Sequence, residues 1–206
     1  MSINKYYDLG RNILFPICRS ITGRGARKTL KILKKEFPAL KIKNIDSGKK
    51  VYDWRVPSEW NINDAYILDK NEKKIVDFKD SNLHVVSYSQ PINKILKKNE
   101  LIHHIHAKKK LPTAIPYITS YYKKYWGFCC SYLVKKSIIN NYSSEDKFKV
   151  VIESSFKKNG KLSYGELVLP GKSKKEILIS TYICHPSMAN NELSGIIISM
   201  ALIKHF

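Results

Sequence analysis

An α/β fold is what this sequence predicts, on three observations. An apolar, β-branched run from Ile177 to Ile183 leads through a polar loop into a helical pattern from Leu193 to Phe206, half of a βαβ unit. Two helical patterns open the chain, at residues 3–20 and from Gly25 to Phe37. Between these ends lies an aromatic, strand-rich middle whose composition differs from both flanks.

In the first helical pattern Tyr6, Tyr7, Leu9, Ile13, Leu14 and Ile17 recur at helical spacing; in the second Leu30, Leu33 and Phe37 do. Thr22-Gly23-Arg24-Gly25 separates the two, and Pro38 ends the second because it can neither donate the next backbone bond nor fit the turn. Arg19 and Ser20 read as a charged helix end and turn, with a contact near a ligand cleft as the other reading. A short strand follows from Leu40 to Ile45. In the middle region, Ala65–Leu68 and Lys74–Phe78 flank Asp69-Lys-Asn-Glu72 as a hairpin, Leu83–Tyr88 alternates like a strand, Pro91–His106 reads as helical, and Thr113–Ser120 is extended. Lys147–Phe156 and Lys161–Leu169 alternate around Lys158-Asn159-Gly160, which predicts a second hairpin and the return to the core sheet.

A chain of 206 residues can bury a sizeable core. Its formal charge of +20 would suggest nucleic acid, yet only five of the 37 cations are arginine and the lysines are scattered rather than gathered in one aromatic-lined stripe. Together with the abundance of Ile, Asn and Tyr, that scatter reads as compositional drift, and no nucleic-acid partner is expected. Cys18, Cys129, Cys130 and Cys184 lack C-x-x-C spacing and sit among apolar residues, as free thiols of a reducing cytosol do. Charges interrupt the first twenty residues, and no apolar run reaches the length of a membrane span. A cytoplasmic protein without a membrane partner is therefore expected.

Chemistry concentrates where the last predicted strand ends. In open α/β sheets ligands gather at the carboxyl ends of strands, and His185 falls at that end. His103, His104 and His106 form a second group, but Lys108–Lys110 beside them would repel a cation and no acidic partner except Glu100 stands near, so a polar helix end is the reading there. Tyr117, Tyr121, Tyr122, Tyr125, Trp126 and Phe128 read as core and interface filling.

The segment Cys184-His-Pro-Ser-x-Ala-Asn-x-x-Leu-Ser-Gly195 resembles the metal-binding loop of a bacterial family of unknown function with a core like the co-catalytic zinc aminopeptidases. Phe15-Pro-Ile-Cys-Arg-Ser-Ile-Thr-Gly-x-Gly25 is similar to that family's opening, with Arg24 where a small polar residue is usual. Trp54-Arg-Val-Pro-Ser-Glu-Trp60, Ser81-Asn-Leu-His-Val-Val-Ser-Tyr-Ser89, Ile115-Pro-Tyr-Ile-Thr-Ser-Tyr-Tyr122 and Trp126-Gly-Phe-Cys129 are close to strings in a small domain inserted into its core.

The resemblance implies residues 1–53 as the opening of an aminopeptidase-like α/β sheet core, 54–145 as a small inserted α+β domain, and 146–206 as the core continued and cut short. It also implies zinc, with His185 as a ligand and Asn191 at the position where the family carries a bridging aspartate. Asn offers a neutral carbonyl where two cations call for a carboxylate, so two-metal binding is not expected of this chain, and Glu192 carries the charge one residue later. Asn190 or Asn191 also reads as the cap of the helix that follows. A general-base Glu, further acidic ligands and a second His would come from later strands of the family's fold, so the expectation is an N-terminal fragment, inactive alone. Its missing half would come from a partner chain, and the completed form would take a peptide-like or amide substrate. The alternative is a non-catalytic module that holds an anionic glycan or a protein.

Overall fold

Helix α1 (Ile3–Asp8) runs directly into a π-helical stretch, Leu9–Leu14, in which the Phe15 N–H reaches back five residues to the Gly10 carbonyl at 2.8 Å. The structure, a computed structural model, describes residues 3–206, which divide into two compact units: the chain up to Glu59 together with Lys157–Phe206, and Trp60–Phe156. In chain order the remaining elements are α2 (Arg24–Glu36), β1 (Lys41–Asp46), β2 (Lys50–Val51), β3 (Trp54–Arg55), β4 (Glu59–Leu68), β5 (Lys74–Asp77), β6 (Ile92–Lys97), α3 (Lys98–His103), β7 (Ile105–His106), β8 (Phe128–Cys129), α4 (Tyr132–Asn141), β9 (Lys147–Lys157), β10 (Lys161–Glu166) and α5 (Ser194–His205).

The first unit is held by an apolar cluster of Tyr6, Leu14, Ile17, Leu193, Ile196 and Met200, with Leu33, Phe37 and Ile183 packed against it. Helix α2 adds buried Ala26, Thr29 and Leu30; of the positions its periodicity marked, Leu30 is buried and Leu33 and Phe37 pack against the cluster. It can approach so closely because residue 25 is glycine: a Cβ there would overlap the Cys18 carbonyl. Strand β1 pairs antiparallel with β10, from Lys41 opposite Glu166 to Asp46 opposite Lys161.

That pairing corrects the hairpin expected around Lys158-Asn159-Gly160, because β10 lies beside β1 and not beside β9. The cause is a clamp at the turn. Arg27 grips Glu59 through two bonds of 2.8 and 2.6 Å, Glu59 accepts the Lys161 N–H at 3.1 Å, and the Ser47 N–H donates to the Gly160 carbonyl at 2.9 Å. The chain is thus steered onto the open edge of β1.

In the second unit the sheet order is β5-β4-β9-β6, and the hairpin of β4 with β5 is where the sequence placed it. The helix expected over Pro91–His106 is only partly present. Ile92–Lys97 forms β6, antiparallel to β9 from Ile92 opposite Ile152 to Lys97 opposite Lys147. Helix α3 begins only at Lys98, where the Glu100 carboxylate accepts the Lys97 N–H at 2.9 Å. The strand expected at Leu83–Tyr88 is a 3-10 turn at Asn82–His84 followed by single bridges from Val85 to Phe128 and from Ser87 to Thr119. Helix α4 was not anticipated; Ser131 caps it by accepting the Val134 N–H at 3.2 Å. Trp60 stacks on Tyr88 at 5.6 Å, and Tyr121 meets Tyr88 edge-on at 5.1 Å; of the rings expected to fill the interior Phe128 is buried, whereas Tyr122 is exposed.

The strand expected at Ile177–Ile183 belongs to no ladder. No strand among the described residues lies beside it to take its backbone bonds, and an apolar run of this kind becomes a sheet strand only with neighbours. No helix among the described residues is long and apolar enough to cross a membrane.

The turn after β4 gives a test of the second unit's stability. Asp69 is buried; its carboxylate accepts the N–H groups of Asn71 and Lys73 at 2.9 Å each and the Tyr142 hydroxyl at 2.8 Å. Burial would raise its pKa, but the Tyr142 hydroxyl and the two N–H groups together hold it below the ordinary value of 3.8. Its contribution is therefore full above that value and is lost as pH falls through the lower folded-state pKa. Tyr142→Phe should cost about 1 kcal/mol at pH 7, and the difference from wild type should vanish in acid. Urea midpoints followed from pH 7 down through the acid titration of the folded-state Asp69 carboxyl would measure both.

Candidate functional site

The chemistry-bearing loop follows directly on the extended run. Cys184 and His185 lead through buried Pro186 and Ser187, whose φ of +37° turns the chain sharply, into a π-helical turn at Ala189–Leu193 that feeds α5. In that turn the Leu193 N–H donates five residues back to the Met188 carbonyl at 3.1 Å. The wider turn decides which side chain faces inward: Glu192 is buried, whereas Asn190 and Asn191 are exposed.

Glu192 meets two partners. One carboxylate oxygen accepts from Arg19 Nε at 2.8 Å. The other accepts the His185 backbone N–H and stands 2.8 Å from His185 Nδ1. Arg19, fully buried, also donates through Nη1 to the Leu14 carbonyl at 2.5 Å, while its Nη2 has no partner among the described residues. Cys184 Sγ lies 3.2 Å from the same His185 nitrogen. Cys184, His185 and Glu192 are the only described trio of metal-capable side chains whose donor atoms lie within 4.8 Å of one another.

Of the two residues singled out as ligands in the sequence, His185 lies in this cluster, and Asn191 is exposed on the same turn that buries Glu192. Sequence reasoning named Arg19 as a helix end or a cleft contact but missed its pairing: it is the buried counter-charge of Glu192. The signal that could have found it was the pairing of one arginine and one glutamate, each inside an otherwise uncharged string. The His103–His106 group is not a metal cluster: His104 stacks on Trp126 at 3.6 Å and its Nδ1 meets the Trp126 carbonyl, and His106 Nε2 meets the Tyr125 hydroxyl at 2.7 Å.

Burial pushes the Glu192 carboxyl up, against the pull of the Arg19 guanidinium and the His185 contacts. Burial also pushes Cys184 up to about 11, with the Glu192 charge adding to it, and Cys18 up to about 12. An imidazole with a carboxylate behind its second nitrogen is a pairing that zinc sites use to fix the ring. The donor set fits zinc in kind, through His185, with the Glu192 carboxylate 2.8 Å and Cys184 Sγ 3.2 Å from its Nδ1.

Two outcomes follow for the buried group. Arg19→Met leaves the Glu192 charge buried without a cation and should destabilise the chain by about 3–5 kcal/mol, whereas Arg19→Met with Glu192→Leu should recover most of that loss. Denaturant midpoints for the two variants check this. In the native chain at pH 7.5 iodoacetamide should label Cys18 and Cys184 far more slowly than in the unfolded chain, as mass spectrometry of the alkylated peptides would show.

Comparison with known proteins places this geometry in context. A family model described as a domain of unknown function, DUF4910, matches residues 7–206. A Clostridium acetobutylicum protein named "Putative polysaccharide biosynthesis protein with aminopeptidase-like domain" is 47% identical over 194 residues, which are 93% of this chain and 42% of that protein. A solved structure titled as a "putative peptidase" from Clostridium acetobutylicum matches with a TM-score of 0.88 and 45% identity, over 98% of this chain and 47% of its own. The chain spans less than half the length of these relatives and corresponds to the N-terminal part.

Proposed function

The chain belongs to the DUF4910 family, and from that premise we propose that it is part of a zinc-dependent, aminopeptidase-like amide hydrolase, in which His185 is one metal ligand and Glu192 orients it. The relatives named as a peptidase or as carrying an aminopeptidase-like domain support the peptidase-like kind. The observation that carries the finer reading is the buried line from Arg19 through Glu192 to His185.

Each member has a task. Glu192 holds Nδ1, so Nε2 is the nitrogen that would bond the metal, and Arg19 keeps Glu192 in place and charged. When bound, zinc supplies a water whose pKa falls toward ~7 and a Lewis acid for an amide carbonyl. A catalytic zinc uses three protein ligands and needs a carboxylate base. In this chain Glu192 is committed to Arg19 and His185, and Asn191 is exposed and neutral. The remaining ligands and the base therefore come, on this reading, from the part of the family's fold that this chain does not span.

The chain alone should accordingly bind zinc weakly and leave leucyl 4-nitroanilide unhydrolysed, and His185→Ala should remove the weak binding. Titration calorimetry and a chromogenic assay check this. In the full-length Clostridium acetobutylicum relative, zinc-dependent amide hydrolysis is expected over a panel of aminoacyl and acylamino-sugar amides, with loss on replacing the histidine that matches His185. Absence of any metal-dependent hydrolysis there overturns the reading. Tight stoichiometric zinc in this chain would overturn the assignment of the other ligands.

A further inference from the structure

The stretch Ile177–Ile183 has the composition of a strand covered on both faces, and it is uncovered. Ile177 is 91% exposed and Leu178 90%, with Ile179 and Tyr182 also open to solvent. The backbone of 177–183 takes part in no ladder with the described residues. An isolated apolar run of this kind is a large exposed patch that a folded protein normally covers.

The segment is not simply loose chain. Ile183 packs on the apolar cluster of the first unit, and a Cβ on Gly195 of α5 would overlap Thr181, so part of the run is already seated against the helix that follows it. Helix α5 repeats the message. Ser194-Gly-Ile-Ile-Ile-Ser-Met-Ala-Leu-Ile203 is apolar nearly all round; Ile196 and Met200 are buried, yet Ile198 on another face is 56% exposed and Phe206 is exposed. A helix of that composition is built to be enclosed.

We propose that Ile177–Ile183 and the Ile198 face of α5 form a docking surface for the remaining, C-terminal part of the family's fold, which adds β-strands on the edges of this run and apolar cover over its faces. Two facts on this surface choose that occupant. The relatives are more than twice as long as the segment that this chain matches, so a large polypeptide of the same family is accounted for. A second copy of this chain, pairing edge to edge, would cover one edge of a seven-residue run and leave the other edge open. The proposal uses the peptidase-like reading only to name the occupant; its test needs neither metal nor turnover, so the two can fail separately.

Hydrogen exchange measures it directly. In the chain alone the amides of 177–183 should exchange nearly as fast as in an unfolded peptide. In a single polypeptide joining the C-terminal part of the Clostridium acetobutylicum relative after Phe206, they should slow at least 100-fold, and Leu178→Lys should abolish that protection. The intact relative, measured in parallel at the matching segment, should show the same slow exchange. Fast exchange at that segment of the intact relative overturns the proposal whatever the fused chain does. So does slow exchange in the isolated chain accompanied by a doubled mass in light scattering, which would make a second copy the occupant.

Discussion

One buried ion pair ties the first unit together. Arg19 and Glu192, 173 residues apart, meet with neither side chain exposed, and removing two charges from water costs several kcal/mol per ion unless each is fully engaged. Their engagement accounts for much of the local architecture. The Leu14 carbonyl that ends the first π-helical stretch accepts from Arg19, and the second π-helical turn delivers Glu192. Both departures from regular α-helix thus flank the same pair, where a widened turn leaves a carbonyl or a side chain pointing at a partner that a regular helix would miss.

Around that pair the unit is asymmetric in how well it satisfies itself. On one side α1, α2 and α5 close over Tyr6, Leu14, Leu193, Ile196 and Met200, and β1 with β10 exchange a full ladder. On the other the apolar run Ile177–Ile183 stands without a ladder among the described residues. The second unit has no such imbalance: its four-stranded sheet buries Ala65, Ile67, Val76, Phe148, Val150 and Ile152, and its largest rings stack on one another.

What the sequence disclosed tracks how local the cause was. Helix α2 and the β4–β5 hairpin were legible because apolar spacing, Pro38 and the turn residues act within a few positions. The fate of β10 was not, since it hangs on Glu59 and Arg27, a hundred and more residues earlier. The β6 strand was hidden because Ile92-Asn-Lys-Ile-Leu-Lys97 satisfies a helical spacing as readily as a strand, and only the register with β9 decides. At the site, His185 could be named from its string, but the pairing of Arg19 with Glu192 could not be read from periodicity: a long-range charge pair leaves only two lone charges in uncharged strings.

A carboxylate one residue late is no simple substitute for one at Asn191. On a regular helix a shift of one position would turn Glu192 about 100° away from Asn191. In the π-helical turn Glu192 does face inward, but it arrives on the Nδ1 side of His185 with its second oxygen taken by Arg19. A carboxylate bound in that way supports the ring from behind, and a bridge between two cations would need its oxygens on the Nε2 side. On the proposed reading, moving the charge by one residue would change its task from bridging to orienting, and the arginine that holds Glu192 would belong to the same change.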